Sequence, residues 1–113
     1  MGKITRYVAT AVFAVAESKH SFEQKLQESL WLATWKEVFK NGVIRYDLID
    51  LKSGEALTLD AVPVYPEKVS VSQVRMISDE KDTVQEMVDF CKAHVGLKEE
   101  PEVHEVSVGI RMR

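Results

Sequence analysis

The 113 residues of this chain carry a formal net charge of −3, and this balance limits the classes of protein to consider. A hydrophobic fraction of 45% with 29% charged residues is ordinary for a globular chain, so we predict one domain over residues 1–113. The acidic balance argues against nucleic acid as a partner, because nucleic-acid-binding proteins normally carry a basic excess. No stretch is long and apolar enough to predict a membrane-spanning helix.

Cysteine usage and the first residues bear on the compartment. Cys91 is the single cysteine, so no intrachain disulfide can form, and we predict a cytoplasmic protein. The first 18 residues have a basic start and an apolar middle, and Ala14-Val15-Ala16 resembles a signal-peptidase site. The apolar run is short, rich in β-branched residues and interrupted by Thr10, which favours a strand over a signal peptide.

In chain order, the first predicted element is a strand over Ile4–Ala16, which is apolar on both faces and therefore central in its sheet. The next is one long helix over Ser21–Gly42. Ser21 with Gln24 three residues later fits a capping box, and Gly42 suits the left-handed residue that ends a helix. We expect this helix to be the centre of the fold.

The predicted helix has more apolar surface than one packed face requires. Phe22, Leu26, Leu30 and Ala33 form one stripe, and Trp31, Trp35 and Phe39 form a second at a spacing of four residues. Either a curved sheet and another helix enclose both stripes, or the aromatic stripe is an interface between copies of the chain. The small size of the chain favours a homo-oligomer with Trp31, Trp35 and Phe39 at its interface.

The remaining residues predict three strands, a second helix and a final strand. These are Val43–Leu51, Glu55–Val62, Lys68–Ile77, the helix Asp82–Val95 and the strand Val103–Met112. A bulge near Ser72-Gln73 would bring Val69, Val71, Val74 and Met76 to one face. The order is β-α-β-β-β-α-β, which predicts an α+β fold with a mostly antiparallel sheet and a long central helix packed on that curved sheet.

The sequence has no specific catalytic or metal-binding motif. His20, His94 and His104 lack metal-ligand spacing, and Cys91 falls within the apolar stripe of the second helix. His104 lies two residues before Val106, on the side of the last strand that we predict to face the core, which indicates a core residue. We therefore predict no catalytic residue, no metal site and no cofactor. A small enzyme would instead need one of these histidines to meet a carboxylate in one cleft.

The positions of the arginines are the most informative pattern. All five lie in predicted strands or directly at the end of one: Arg6, Arg45, Arg75, Arg111 and Arg113. The planar guanidinium suits carboxylate and phosphate, so these strands could form an anion-binding surface or pair with Asp47, Asp60 and Glu105 across strands. Gly109 would let a ligand approach the last strand closely. The predicted ligand-binding residues are Arg111, Arg113, Gly109, Arg75 and Arg45.

The layout of elements, with Arg111 and Arg113 on the last strand, resembles the small phage-encoded Thoeris anti-defence proteins. That resemblance implies a viral protein that sequesters cyclic-ADP-ribose-type signals as an oligomer. The sequence thus predicts a non-catalytic homo-oligomer that captures a small anionic, nucleotide-type ligand. The alternative is a protein-interaction module or inhibitor that acts through the aromatic surface or an edge strand.

Overall fold

A computed structural model describes residues 3–109 of the chain, which form six strands and two short helices. In chain order they are β1 (Lys3–Ser18), α1 (Lys19–Gln27), β2 (Trp31–Val38), β3 (Ile44–Asp50), β4 (Ala56–Pro63), β5 (Ser70–Ser78), α2 (Lys81–His94) and β6 (His104–Gly109). The strands make one sheet in the order β2-β3-β4-β5-β1-β6, and each neighbouring pair is antiparallel. The predicted α+β class with an antiparallel sheet is confirmed.

The two faces of the sheet differ sharply because side chains alternate along each strand. On one face, residues such as Ala11, Leu48 and Leu59 are buried beneath α1 and α2. The residues that alternate with these along the strands are half-buried or exposed, and no helix or strand within residues 3–109 covers them. We call this second surface the open face.

The long helix predicted over Ser21–Gly42 is wrong. Only Lys19–Gln27 is helical, and Ser18 rather than Ser21 caps it, accepting a hydrogen bond from the Ser21 backbone nitrogen at 3.1 Å. After a short turn the chain continues as the edge strand β2. Tryptophan, threonine and valine favour extended backbone, and pairing with β3 supplies the backbone hydrogen bonds that a helix would have supplied.

Gly42 does adopt the predicted positive φ, but it closes a β-turn and not a helix. Its φ is 95°, and the Phe39 backbone nitrogen donates to the Val43 carbonyl across the β2–β3 connection. A Cβ at this position would lie 2.8 Å from the Cδ atom of Lys68. The positive φ therefore favours glycine here, whereas the Lys68 side chain is flexible and could move away from a Cβ.

The bulge predicted in β5 is confirmed. Val62 pairs with Gln73 and Pro63 pairs with Val71, so Ser72 is the extra residue. This brings Val71 onto the buried face beside Val74 and Met76, as predicted. Val69 is a correction, because it precedes the strand and is 65% exposed.

The second helix is confirmed over Lys81–His94, one residue earlier at each end than predicted, and Glu80 precedes its first turn. Its buried stripe includes Val84, Met87, Val88 and Cys91. Burial raises the pKa of the Cys91 thiol to about 12, so this cysteine is a core residue and not a nucleophile at neutral pH.

The last strand is only partly as predicted. It begins at His104, and Val106 pairs with Arg6 on the open face with 39% of its surface exposed, so its predicted inward position is wrong. His104 is likewise exposed and not a core residue, because its partner Val8 is on the same open face. Residues 110–112 of the predicted strand lie outside the described residues.

Helix α1 is held to the sheet by a charged contact at the middle of the helix. The Tyr46 hydroxyl donates to Glu23 Oε2 at 2.7 Å, and Lys36 Nζ donates to the same oxygen. Partial burial of Glu23 raises its pKa, but these two hydrogen bonds outweigh the burial, and the net pKa is lowered. The contact therefore stabilises the fold at neutral pH and loses that contribution as the pH falls through the lowered pKa.

We expect Tyr46→Phe to lower the free energy of unfolding by about 1.5 kcal/mol at neutral pH, because it removes one hydrogen bond to a charged group. The loss should shrink in acid, where Glu23 becomes protonated in both proteins. Urea denaturation of both proteins across the acidic range measures this difference. An equal destabilisation at every pH would contradict the assignment.

Candidate anion-binding face

The arginines predicted on strands meet on the open face of the sheet. Arg45 pairs with Asp60, Asp60 pairs with Arg75, and Arg75 pairs with Thr10, so one row crosses β3, β4, β5 and β1. Directly paired residues of neighbouring strands have their side chains on the same face. The row therefore places two arginines on either side of one carboxylate.

A shallow cleft of about 460 Å³ lies over this row. Its lining includes Arg6, Arg45 and Arg75, and its floor contains Val8, Thr58 and Ile77, which form the next row across the sheet. This volume falls within the range of small-molecule sites. We call it the arginine cleft. It has cationic edges and a largely apolar floor.

Arg45 is held rigidly within the cleft. Its Nε donates to Asp60 Oδ1 at 2.7 Å and its Nη2 donates to Asp60 Oδ2 at 2.9 Å, while its guanidinium lies 5.1 Å from the centre of the Phe39 ring. The hydrogen bonds that Asp60 accepts from the Arg45 guanidinium raise the pKa of Arg45. The cross-strand pairing considered as an alternative is therefore present for Arg45 and Asp60.

The other two arginines are held less firmly. Within the described part of the chain, the Arg75 guanidinium forms no ion pair or side-chain hydrogen bond, although Asp60 lies beside it. Arg6 Nε lies 3.4 Å from Asp79 Oδ1, but the two side chains are 47% and 74% exposed. Such an exposed pair contributes little and exchanges readily for another anion. The cleft thus offers two arginines with unused hydrogen-bonding capacity.

The predicted ligand-binding residues divide into three groups. Arg45 and Arg75 line the cleft, as the anion-binding hypothesis requires. Gly109 pairs with Lys3 near the end of β6 and does not line the cleft. Arg111 and Arg113 lie outside the described residues.

Sequence reasoning left Arg6 out of the predicted site. The sequence does indicate that Arg6, Val8 and Thr10 lie on one face of the first strand, because they are alternate residues. What the sequence did not show is that β1 pairs with β5, which brings Arg6 to the same cleft.

The predicted aromatic interface is also divided. Trp31 is 7% exposed and belongs to the core, which corrects its assignment as an interface residue. Trp35 is 47% exposed on the open face, and Phe39 is half-buried beneath Arg45. Of the three, only Trp35 presents a large exposed surface.

The histidines lie on three separate elements. His20 is in the first turn of α1, and His94 ends α2 with its ring 4.9 Å from that of Phe90. His104 lies 3.8 Å from Glu102 and lines a cleft of about 360 Å³ with three glutamates. Among residues 3–109, no three histidine, cysteine or acidic side chains are placed to hold a metal ion.

The chain was compared with known proteins at the levels of family, sequence and structure. Comparison with protein-family models, curated proteins and solved structures finds no match. Neither helix in residues 3–109 is long and apolar enough to cross a membrane.

Proposed function

We propose that this protein is a non-catalytic binding protein that captures a small anionic, nucleotide-type ligand in the arginine cleft. The observation that carries the proposal is the convergence of Arg6, Arg45 and Arg75 on one cleft whose lining includes a single carboxylate, Asp60. A cleft lined by more arginines than carboxylates attracts anions and raises their local concentration.

The arrangement favours a ligand with both an anionic and a flat apolar part. Arg75 can offer its planar fork of donors to a phosphate, and Asp60 keeps Arg45 oriented alongside. Val8 and Ile77 on the floor can contact a base or sugar. A cyclic-ADP-ribose-type signal combines these parts, so its sequestration is the specific form of the function that we propose.

Calorimetric titration with AMP, cyclic ADP-ribose and inorganic pyrophosphate tests this function. We expect binding that weakens with added salt, and a loss of at least about tenfold in Arg75→Ala, because a charge-assisted hydrogen bond is removed. Lys92→Gln is the matched control, since it removes one positive charge from α2, which packs on the other face. The proposal fails if no titrant binds, or if the two variants weaken binding equally.

A second proposal concerns assembly through β2. This strand is an edge of the sheet, and Leu32, Trp35 and Val38 are 48%, 47% and 57% exposed. An exposed apolar edge strand is a template for pairing with another chain. We propose that β2 of a second copy pairs with it in antiparallel orientation, which brings the two Trp35 side chains together near the two-fold axis and makes a homodimer.

Light scattering tests the homodimer directly. We expect a mass of about twice the 12.8 kDa of one chain, and a shift to the monomer in Trp35→Lys, which places a charge in the proposed contact. Lys40→Glu is a suitable control because it inverts an exposed charge just beyond the strand. A wild-type mass of one chain at every concentration would exclude the homodimer.

A further inference from the structure

A second cleft lies on the helix-bearing side of the sheet, away from the arginine cleft. It has a volume of about 460 Å³ and lies between α2, the end of β3 and the start of β2. Its lining includes Trp31, Asp50, Lys52, Glu86, Asp89 and Phe90. We call it the acidic cleft, because three carboxylates line it beside apolar walls.

Asp50 is the unusual residue of this cleft. It is only 2% exposed, and its Oδ1 accepts a hydrogen bond from the Lys52 backbone nitrogen at 2.9 Å. Its Oδ2 is buried and has no hydrogen-bond donor among the described residues. A buried carboxylate oxygen without a donor is costly, so a donor from outside the chain would be bound favourably.

A second carboxyl lies close to Asp50 in the cleft. Glu86 on α2 lies within hydrogen-bonding reach of Asp50, and this contact raises the pKa of Glu86 while the pKa of Asp50 is lowered. Two carboxylates cannot donate to each other, so either a proton on Glu86 or a cation must lie between them.

The composition of the cleft selects the class of cation. Within residues 3–109 no group of three histidine, cysteine or acidic side chains is placed to hold a metal ion, and the apolar walls beside the carboxyls suit an organic cation. A primary ammonium has three N–H donors, enough for both carboxyls and one further acceptor. Trp31 and Phe90 contribute aromatic walls, and Leu30 and Ala93 contribute aliphatic ones, which suit a carbon chain next to the charge.

We propose that the acidic cleft binds the ammonium group of a primary alkylamine, which enters between the Asp50 and Glu86 carboxyls in place of the proton that they otherwise share. Lys52, which also lines the cleft, does not fill this role, because its ammonium forms no ion pair with a described carboxylate. The site is separate from the arginine cleft and does not depend on the function proposed there.

Protonation of Glu86 competes with the amine for the same position. The charged and titratable groups around Glu86 come from two elements. Asp50 and Lys52 lie at the end of β3 and in the following turn, and Asp82, Asp89 and His94 lie on the same helix as Glu86. The pKa of Glu86 is raised, so Glu86 keeps its proton to a higher pH than a free carboxyl does. Amine binding should strengthen as the pH rises through this raised pKa, because Glu86 then loses the competing proton. Binding near that pH should also release a proton.

Titration with n-butylammonium chloride tests the site, and sodium chloride at the same ionic strength is the control. Binding is followed by NMR of the backbone amides. Calorimetry in two buffers of different ionisation enthalpy measures the protons released. We expect saturable shifts at Asp50, Trp31 and Glu86, proton release to the buffer, and weaker binding of tetramethylammonium, which has no N–H donor. Glu86→Gln should weaken binding at least about tenfold, because one charge-assisted acceptor is lost.

Glu67→Gln is the matched control, because it removes the same charge from an exposed turn outside the cleft lining and should leave the affinity unchanged. Glu86 is used in preference to Asp50 because it is less buried and its replacement is better tolerated by the fold. Absence of saturable binding, equal affinity for tetramethylammonium, or equal loss in both variants would overturn the proposal.

Discussion

Replacing Trp31 by alanine is expected to lower the free energy of unfolding by about 3–5 kcal/mol, the usual cost of deleting a buried large aromatic side chain. Trp31 is 7% exposed and belongs to the continuous core beneath the helices. The same replacement at Trp35, which is 47% exposed, should cost less than about 1 kcal/mol in the monomer. Urea denaturation of the two variants measures this contrast.

The pair is internally matched, because both changes delete the same side chain from the same strand. A helix with both tryptophans on one stripe would give similar losses, since the residues would share one environment. Equal destabilisation would therefore contradict β2 as an edge strand with Trp31 inside and Trp35 outside.

Replacing Phe22 by alanine is expected to cost a similar amount, about 3–5 kcal/mol. Phe22 is fully buried on α1, and its ring centre lies 5.8 Å from that of Phe13 on β1. This contact fixes the short helix on the part of β1 where pairing with β5 is interrupted between Val12 and Glu17. Chemical denaturation of the variant gives the loss.

Gln24→Ala provides the control on the same helix, since Gln24 is exposed and its removal should change stability by less than about 0.5 kcal/mol. Combining Phe22→Ala with Phe13→Ala should give a coupling of about 0.5–1.5 kcal/mol, as aromatic pairs do. Strictly additive losses would show that the two rings are not in contact.

The error over Trp31–Val38 has a clear physical origin. A spacing of four residues returns to one face of a helix, but it is also an even number and returns to one face of a strand. Trp31 and Trp35 are therefore ambiguous by spacing alone. In the structure a register shift between Ala33 and Trp35 moves the two tryptophans to opposite faces, which no periodicity could indicate.

The elements with an unbroken pattern were predicted well. β3 and β4 alternate strictly, and the helix Lys81–His94 has a single apolar stripe, so each was located to within a few residues. The resemblance to Thoeris anti-defence proteins depended in part on a layout with one long helix, and the structure has a short helix followed by a strand at that place. The proposed anti-defence role is therefore tested by the ligand that the arginine cleft binds.

The candidate site could be predicted only in part. Arg45 and Arg75 alternate with buried residues along β3 and β5, so alternation alone can place them on the open face. The order of the strands, however, decides which residues become neighbours across the sheet. The pairing of β1 with β5 joins residues about seventy positions apart, and that contact brings Arg6 to the cleft. The acidic cleft was not anticipated, because Asp50 and Glu86 come together only when α2 packs on the sheet.

NMR of the arginine Nε–H groups during a pyrophosphate titration locates the anion most directly. The arginine cleft predicts saturable shifts of the Arg75, Arg45 and Arg6 signals with one common dissociation constant, reduced by added salt. Shifts confined to Arg111 and Arg113, or no saturable shift at any arginine, would contradict an anion site on the open face.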